Sequence, residues 1–306
     1  MANNGNLKEK LTRSSSSRNC KTRVHNVLDS EQTAVFPGVY DTLSAKLAEQ
    51  AGFPLAFVSG YAVSATLIGE PDLGLLTQTE MVERARQICR SVDIPIIVDA
   101  DTGYGNPLNV ARTVRALIDA GAAGCFLEDQ EWPKKCGHLH DKKVISEEEY
   151  LDKIRAAVDT KGHADFFVVA RTDAIAAVDL EEAIARAHAA KATGADATFI
   201  EAPRSRDELV EIGRQAPKPT VANMVEEGRT PILSKEELVS LGFQLLLYPL
   251  AGLYASAKAL ESVYQFLLSN GTTAGHEDSL ITFERFNKII GVDDKNAMVK
   301  KSKKKA

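Results

Sequence analysis

The sequence predicts an α/β fold, a closed (β/α)8 TIM barrel of parallel strands. Three observations lead there: a short apolar, β-branched run recurs eight times, helical segments separate the runs, and most runs stop at a polar or acidic residue. The runs are residues 34–36, 55–59, 94–98, 124–127, 166–170, 197–200, 220–222 and 244–247. Several are almost wholly apolar, as parallel strands covered on both faces should be. A chain of 306 residues fits one large barrel or two ordinary domains, and the unbroken alternation favours the barrel. An open doubly wound sheet is the alternative. It calls for a Gly-rich phosphate loop after the first strand, and Pro37-Gly38-Val39-Tyr40-Asp41 is no such loop.

The connecting segments carry helix punctuation. Residues 77–90 begin at Thr77 with Glu80 three positions on, a capping-box pattern, and residues 146–158 repeat it with Ser146 and Glu149. Residues 106–120 have Pro107 just inside their start and Gly121 just past their end. Residues 180–193 stop at Gly194 and residues 234–241 at Gly242. Residues 251–268 form the longest apolar helix.

The ends differ from the middle. Residues 1–28 read as a flexible arm, 29–291 as one barrel domain with C-terminal helices, and 292–306 as a basic tail closing in Lys300, Lys301, Lys303, Lys304 and Lys305. The arm carries the serine run 14–17 and, as far as Asn26, only Glu9 as an acid. That composition leaves organellar targeting open beside a cytoplasmic default. A hydrophobic share of 44% with 26% charged residues is that of a soluble globular protein. A net charge of -5 gives no support to a nucleic-acid partner, and no apolar stretch reaches the length that spans a bilayer. Cys20, Cys89, Cys125 and Cys136 show neither CxxC nor zinc spacing, so reduced thiols are expected.

In such a barrel chemistry sits at the C-terminal ends of the strands. Ser59-Gly60-Tyr61, Asp99-Ala100-Asp101-Thr102-Gly103, Glu128-Asp129-Gln130, Arg171-Thr172-Asp173, Glu201, Asn223 and Tyr248-Pro249 follow successive runs. A single polar strand end is usually a helix cap; several acids converging on one rim ask for a cation. Asp99 and Asp101 alternate along one extended segment, and Glu128 and Asp72 can complete a shell of hard oxygen donors suited to Mg2+ or Mn2+. The competing reading makes Asp101 the start of a turn with Gly103 and Gly105. Cys136 lies in a polar loop among Lys134, Lys135 and His138, which would depress its pKa, whereas Cys89 and Cys125 fall in a helix and a strand and read as core. Arg171 can grip a carboxylate bidentately, or pair with Asp173 or Glu201. His25, His140, His163, His188 and His276 carry no pattern.

Taken in order, these motifs resemble the isocitrate lyase and phosphoenolpyruvate mutase superfamily. The resemblance rests on Lys134-Lys135-Cys136-Gly137-His138, Ser59-Gly60, Pro71-Asp72-Leu73-Gly74, Asp99-Ala100-Asp101-Thr102-Gly103, Glu128-Asp129-Gln130, Ala170-Arg171-Thr172-Asp173 and Asn223-Met224, and runs from about Pro37 to the end of the 251–268 helix. It implies a magnesium-bound barrel whose last helix is swapped between subunits in a dimer of dimers. It also implies that Cys136 protonates an enolate-like aci-carboxylate. Asp101 is then the most direct metal ligand, with Asp72, Asp99 and Glu128 acting largely through water. Tyr40, Ser59, Gly60, Tyr61, Lys134, Gly137, His138, Arg171 and Asn223 are expected to hold a di- or tricarboxylate substrate, with Glu201 supporting the site.

Within the superfamily, Cys136 argues against simple phosphonate chemistry, although the carboxyphosphoenolpyruvate mutases have a similar loop. Tyr61 stands where 2-methylisocitrate lyases carry a Gly-rich segment, and Pro249 where oxaloacetate hydrolases carry serine. The run Trp132-Pro133-Lys134-Lys135-Cys136 is similar to dimethylmalate lyases and the plant petal-death lyase. The expectation is a C–C lyase acting on a 2-alkylmalate-like acid. A barrel that binds without turning over is the reading from another class.

Overall fold

The structure, a computed structural model, describes residues 21–137 and 142–303, with side chains as far as residue 301. Cys20, His138, His140 and the final lysines Lys304 and Lys305 lie outside the described residues. Eight strands close into one parallel barrel in chain order: β1 (Ala34–Val39), β2 (Ala56–Val58), β3 (Ile96–Asp99), β4 (Gly124–Glu128), β5 (Phe167–Thr172), β6 (Ala197–Ile200), β7 (Thr220–Asn223) and β8 (Leu245–Tyr248). Strands β1 and β8 complete the ring, with Ala34 opposite Leu245 and Pro37 opposite Tyr248. The expected runs all become strands, shifted by up to three residues at their ends.

The helix punctuation operates as read. Thr77 and Glu80 cap each other, the Glu80 amide donating to the Thr77 hydroxyl at 3.3 Å and the Thr77 amide to the Glu80 carboxylate at 2.8 Å. Gly121 and Gly242 take φ of 94° in the left-handed region that ends a helix, and Gly271 closes the longest helix, Ala251–Asn270, at φ 66°. Only half of the second capping box forms: Ser146 accepts from the Glu149 amide, and the helix runs on to Lys161.

Two stretches depart from the expected arm and tail. Residues Arg23–Glu31 form a helix whose Val24 is fully buried, and Val292–Lys303 is helical. Val24 joins Phe36, Phe57, Ile97, Phe126, Phe167, Phe199 and Leu247 in the barrel interior, so this helix plugs the N-terminal end of the barrel. Helix Ala251–Asn270 has no buried residue: Leu268 is 89% exposed and Tyr264 63%. No described helix is long and apolar enough to cross a membrane.

Phe126 lies at the centre of the barrel, 4.7 Å from the Phe57 ring and 5.5 Å from that of Phe199. Phe126→Ala is expected to cost about 3–5 kcal/mol in urea unfolding. A loss below roughly 1 kcal/mol would mean that the interior is not close-packed there.

Candidate active site

Side chains two apart on a strand share a face. The interior residues Phe57, Ile97, Phe126, Val169, Phe199, Val221 and Leu247 are therefore followed one layer higher by Ser59, Asp99, Glu128, Arg171, Glu201, Asn223 and Pro249. Except at Pro249, this second layer is polar where the first is apolar. It rings a cavity at the C-terminal mouth of the barrel. Ser59, Tyr61, Asp72, Asp99, Lys134, Cys136, Gly137, Arg171, Glu201 and Asn223 all line it.

The backbone beneath the ring is held in uncommon conformations. Asp101 and Tyr104, just past β3, and Ala202, just past β6, have φ of 46°, 61° and 56°. Non-glycine residues persist there only where their surroundings fix them. The Asp101 carbonyl accepts from the Glu128 amide at 2.9 Å, which ties the acid of β3 to that of β4.

The rim is short of positive charge. Asp72, Asp99, Asp101, Glu128, Asp129, Asp173 and Glu201 are all buried. The basic side chains that touch them in the described residues are Lys134, Lys142, Arg171 and Arg186. Burial, together with the neighbouring Asp99 and Asp72, pushes Asp101 up to about 6 despite Lys134. Burial likewise raises Glu128 well above the usual carboxylate range in spite of Arg171, and Asp129 to about 6. Carboxylates so placed either take up protons or gather a cation.

A cation already sits among them. The buried Lys134 ammonium lies 2.7 Å from Asp72 Oδ1 and 2.5 Å from Asp101 Oδ1. Burial opposes its charge, but Asp101, Asp72, Asp99 and Glu128 hold its pKa well above the ordinary value. Asp99 meets only backbone donors, the amides of Gly60 and Asp101, each at 3.3 Å. Glu128 Oε1 is buried with no hydrogen-bond partner among the described residues, and Asp101 Oδ1 is buried beside the Lys134 ammonium. No three His, Cys, Asp or Glu side chains among the described residues form a ready-made metal shell. Magnesium needs only one or two carboxylates and completes its octahedron with water. All-oxygen donors, an excess of buried negative charge and an ammonium standing in for a cation together fit a hard divalent ion.

Arg171 is differently engaged than a substrate fork would be. Its Nε and Nη2 donate to Asp173 at 2.9 and 3.1 Å, and its guanidinium also meets Glu128 at 3.2 Å and Glu201 at 3.4 Å. The bidentate edge thus belongs to Asp173, which Arg171 and Lys142 hold below the usual carboxylate range against the effect of burial. Arg171 still borders the cavity, stacked over the Phe199 ring at 5.5 Å. Asn223 Nδ2 donates to Glu201, and its Oδ1 is buried without a partner.

The Cys136 loop reaches the mouth from one side. The Cys136 amide donates to the Asp72 carbonyl at 3.2 Å, and Gln130 fastens Lys135 through its amide and carbonyl. A Cβ at Gly137 would lie 2.5 Å from Glu201 Cγ and 2.7 Å from Arg171 Nη2, so only glycine lets this backbone approach so closely. The Lys134 ammonium is turned to the acids and not to Cys136, contrary to its expected influence on the thiol. Tyr40 is placed apart from the cavity: its hydroxyl is 2.7 Å from Ser256 Oγ, and it lines a groove beside helix Ala251–Asn270. Gly60 supports Asp99 from just outside the lining. Three residues the sequence reading passed over are Lys142, Val225 and Leu250, the last two forming an apolar wall with Pro249.

Residues 25–268 match the phosphoenolpyruvate phosphomutase family. The chain is 51% identical to the chloroplastic carboxyvinyl-carboxyphosphonate phosphorylmutase of Arabidopsis thaliana, over 89% of this chain and 82% of that one. It is 48% identical to the petal death protein of Dianthus caryophyllus, over 92% and 89%, and 44% identical to 2,3-dimethylmalate lyase of Eubacterium barkeri, over 90% and 95%. Among solved structures, an oxaloacetate acetylhydrolase in complex with 3,3-difluorooxalacetate superposes with a TM-score of 0.87 at 36% identity, over 92% and 96% of the two chains. A phosphonopyruvate hydrolase in complex with oxalate and Mg++ superposes with 0.81 at 29% identity, over 90% and 96%.

Removing one partner of a buried ion pair strands the other. In metal-free protein, Lys134→Met is expected to lose about 3 kcal/mol of stability, with magnesium restoring part of it. Unchanged stability without metal would mean that Lys134 does not neutralise the acids.

Proposed function

The chain belongs to the phosphoenolpyruvate phosphomutase family, and from that premise we propose that it is a magnesium-dependent C–C lyase that splits a 2-alkylmalate-like acid into a 2-keto acid and a carboxylate. The observation that carries this reading is the Cys136 thiol at the mouth of the same cavity as the acidic cluster, beside Arg171 and Asn223. A thiol poised there suits protonation of a carbon that has just lost its neighbour. Simple phosphoryl transfer has no use for it.

Asp101, with Asp72, Asp99 and Glu128 through water, would hold the metal. When bound, Mg2+ supplies positive charge that polarises substrate oxygens and stabilises the charge that develops on them. The chain's own groups do the rest. The Ser59 hydroxyl, the Asn223 amide and the Arg171 guanidinium, which all line the cavity, orient substrate carboxylate and hydroxyl oxygens. The substrate hydroxyl passes its proton to solvent water as the bond between C2 and C3 breaks, and a keto group forms at C2; the thiolate left on Cys136 after the next step takes a proton back from that water. The electron pair of that bond passes to C3 as an enolate-like carboxylate, and Cys136 Sγ delivers a proton to that carbon. Glu201 keeps Arg171 and Asn223 in place. Val225, Pro249 and Leu250 offer an apolar wall to the alkyl substituents.

The relative named 2,3-dimethylmalate lyase supports the lyase reading, and Pro249 supports it over hydrolysis. The relative named carboxyvinyl-carboxyphosphonate phosphorylmutase supports a second reading, phosphoryl migration on a carboxyphosphono substrate. The uncovered apolar residues of helix Ala251–Asn270 support exchange of that helix between subunits of an oligomer. The serine-rich start of the chain, with a chloroplastic relative, supports an organellar address.

A coupled assay for keto-acid release over a panel of substituted malates decides among these. The lyase reading expects one substrate to be turned over with magnesium, activity lost on chelation, and kcat lowered at least about a thousandfold in Cys136→Ser. Turnover of a carboxyphosphonate substrate with silence on every malate would select the mutase reading.

A further inference from the structure

The proposed chemistry gives the buried Lys142 ammonium no role. Lys142 has a fully buried side chain, and it lies past the loop that carries Cys136. Its position is fixed from the chain side: Gln130 and Val144 pair in an antiparallel bridge, and the Glu131 amide donates to the Lys143 carbonyl at 2.9 Å. From this base the Lys142 ammonium points inward. It donates to the Gly137 carbonyl at 2.5 Å and to Asp173 Oδ1 at 2.6 Å.

Each of its two partners leads to a site residue. Gly137 follows Cys136 directly, and its backbone lies against Arg171 and Glu201. Asp173 takes both the Nε and the Nη2 of Arg171, and its amide is fixed by Asp129 Oδ1 at 2.8 Å. One ammonium thus joins the peptide after the thiol to the carboxylate that aims the guanidinium. On the other side, the Cys136 amide is fixed by the Asp72 carbonyl. The thiol is held between these two anchors.

An apolar residue of similar length would fill the same space without the cost of burying a charge. The position carries a donor that satisfies a buried carbonyl and a buried carboxylate together. We infer that Lys142 is a positioning residue that sets the Cys136 thiol in register with Arg171. This rests on the lyase reading for its kinetic consequence, but its geometric consequence does not.

Lys142→Met tests it, with Lys142→Gln as a milder variant if the first does not fold. Two readouts go beyond stability. The first needs no substrate: the rate at which iodoacetamide alkylates Cys136, followed at that residue by peptide mass spectrometry. It is expected to rise about threefold or more in the folded variant, because loss of an anchor raises the population of displaced loop. The second is the split between kcat and KM. Misplacing a reacting group by about an ångström costs on the order of a hundredfold, so kcat is expected to fall by that much while KM and Mn2+ affinity stay within about threefold. An alkylation rate unchanged in a folded variant overturns the inference, whether or not any malate is cleaved. If the wild-type chain turns over no malate but the alkylation rate rises as expected, the lyase reading fails and the inference stands. If the wild type does cleave one, a variant that keeps its kcat, or loses only KM or metal affinity, also overturns it.

Discussion

Everything at the mouth of this barrel depends on one constraint, the two-residue period of its strands. Closing eight parallel strands leaves each with one face turned into a shared interior, and the layers of that interior are stacked by alternate residues. Phe126 below and Glu128 above belong to the same stripe, as do Phe199 and Glu201, or Val169 and Arg171. The apolar layer anchors the polar one. An acid at a strand end cannot retreat to solvent without carrying its strand with it, so the chain holds more buried carboxylates than basic groups to meet them.

That imbalance organises the site in two halves. On one side Asp72, Asp99 and Asp101 surround the Lys134 ammonium, where a hard divalent cation fits. On the other, Asp129, Asp173 and Glu201 are matched by Arg171, Arg186 and Lys142, and Glu128 joins the two halves, one oxygen on Arg171 and the other without a hydrogen-bond partner among the described residues. The first half is where charge can change on metal binding; the second is a fixed lattice that aims Arg171 and the loop. Cys136 stands between them, its amide bound to the Asp72 carbonyl and its following peptide to Lys142.

Much of this was legible in the chain. The strand runs are short, apolar and β-branched, and glycines such as Gly121 and Gly242 sit where a helix must end left-handed. Asp99, Asp101, Glu128 and Glu201 were legible as rim acids because each ends or closely follows its run, whereas Asp72 stands well past β2. What was not legible has physical causes. Tyr40 lies one residue past the end of β1, where alternation no longer fixes direction, and it turns to Ser256. The helix Arg23–Glu31 follows a polar serine-rich stretch, and its plugging residue Val24 has meaning only once the barrel is closed. Of the two readings open for Arg171, a fork for a carboxylate ligand or a pair with a neighbouring acid, the structure shows the pair with Asp173, just past the end of β5. Lys142 gave no signal, because its partners Gly137 and Asp173 meet it only through the fold.

The most direct measurement is a Mn2+ titration of the metal-stripped protein, read by electron paramagnetic resonance, beside the Asp101→Asn variant. An excess of buried negative charge centred on Asp101 predicts one bound ion per chain in the wild type and a loss of affinity of about a hundredfold or more in the variant. No bound ion in the wild type, or equal binding in both proteins, would contradict the view that this rim is built around a divalent cation.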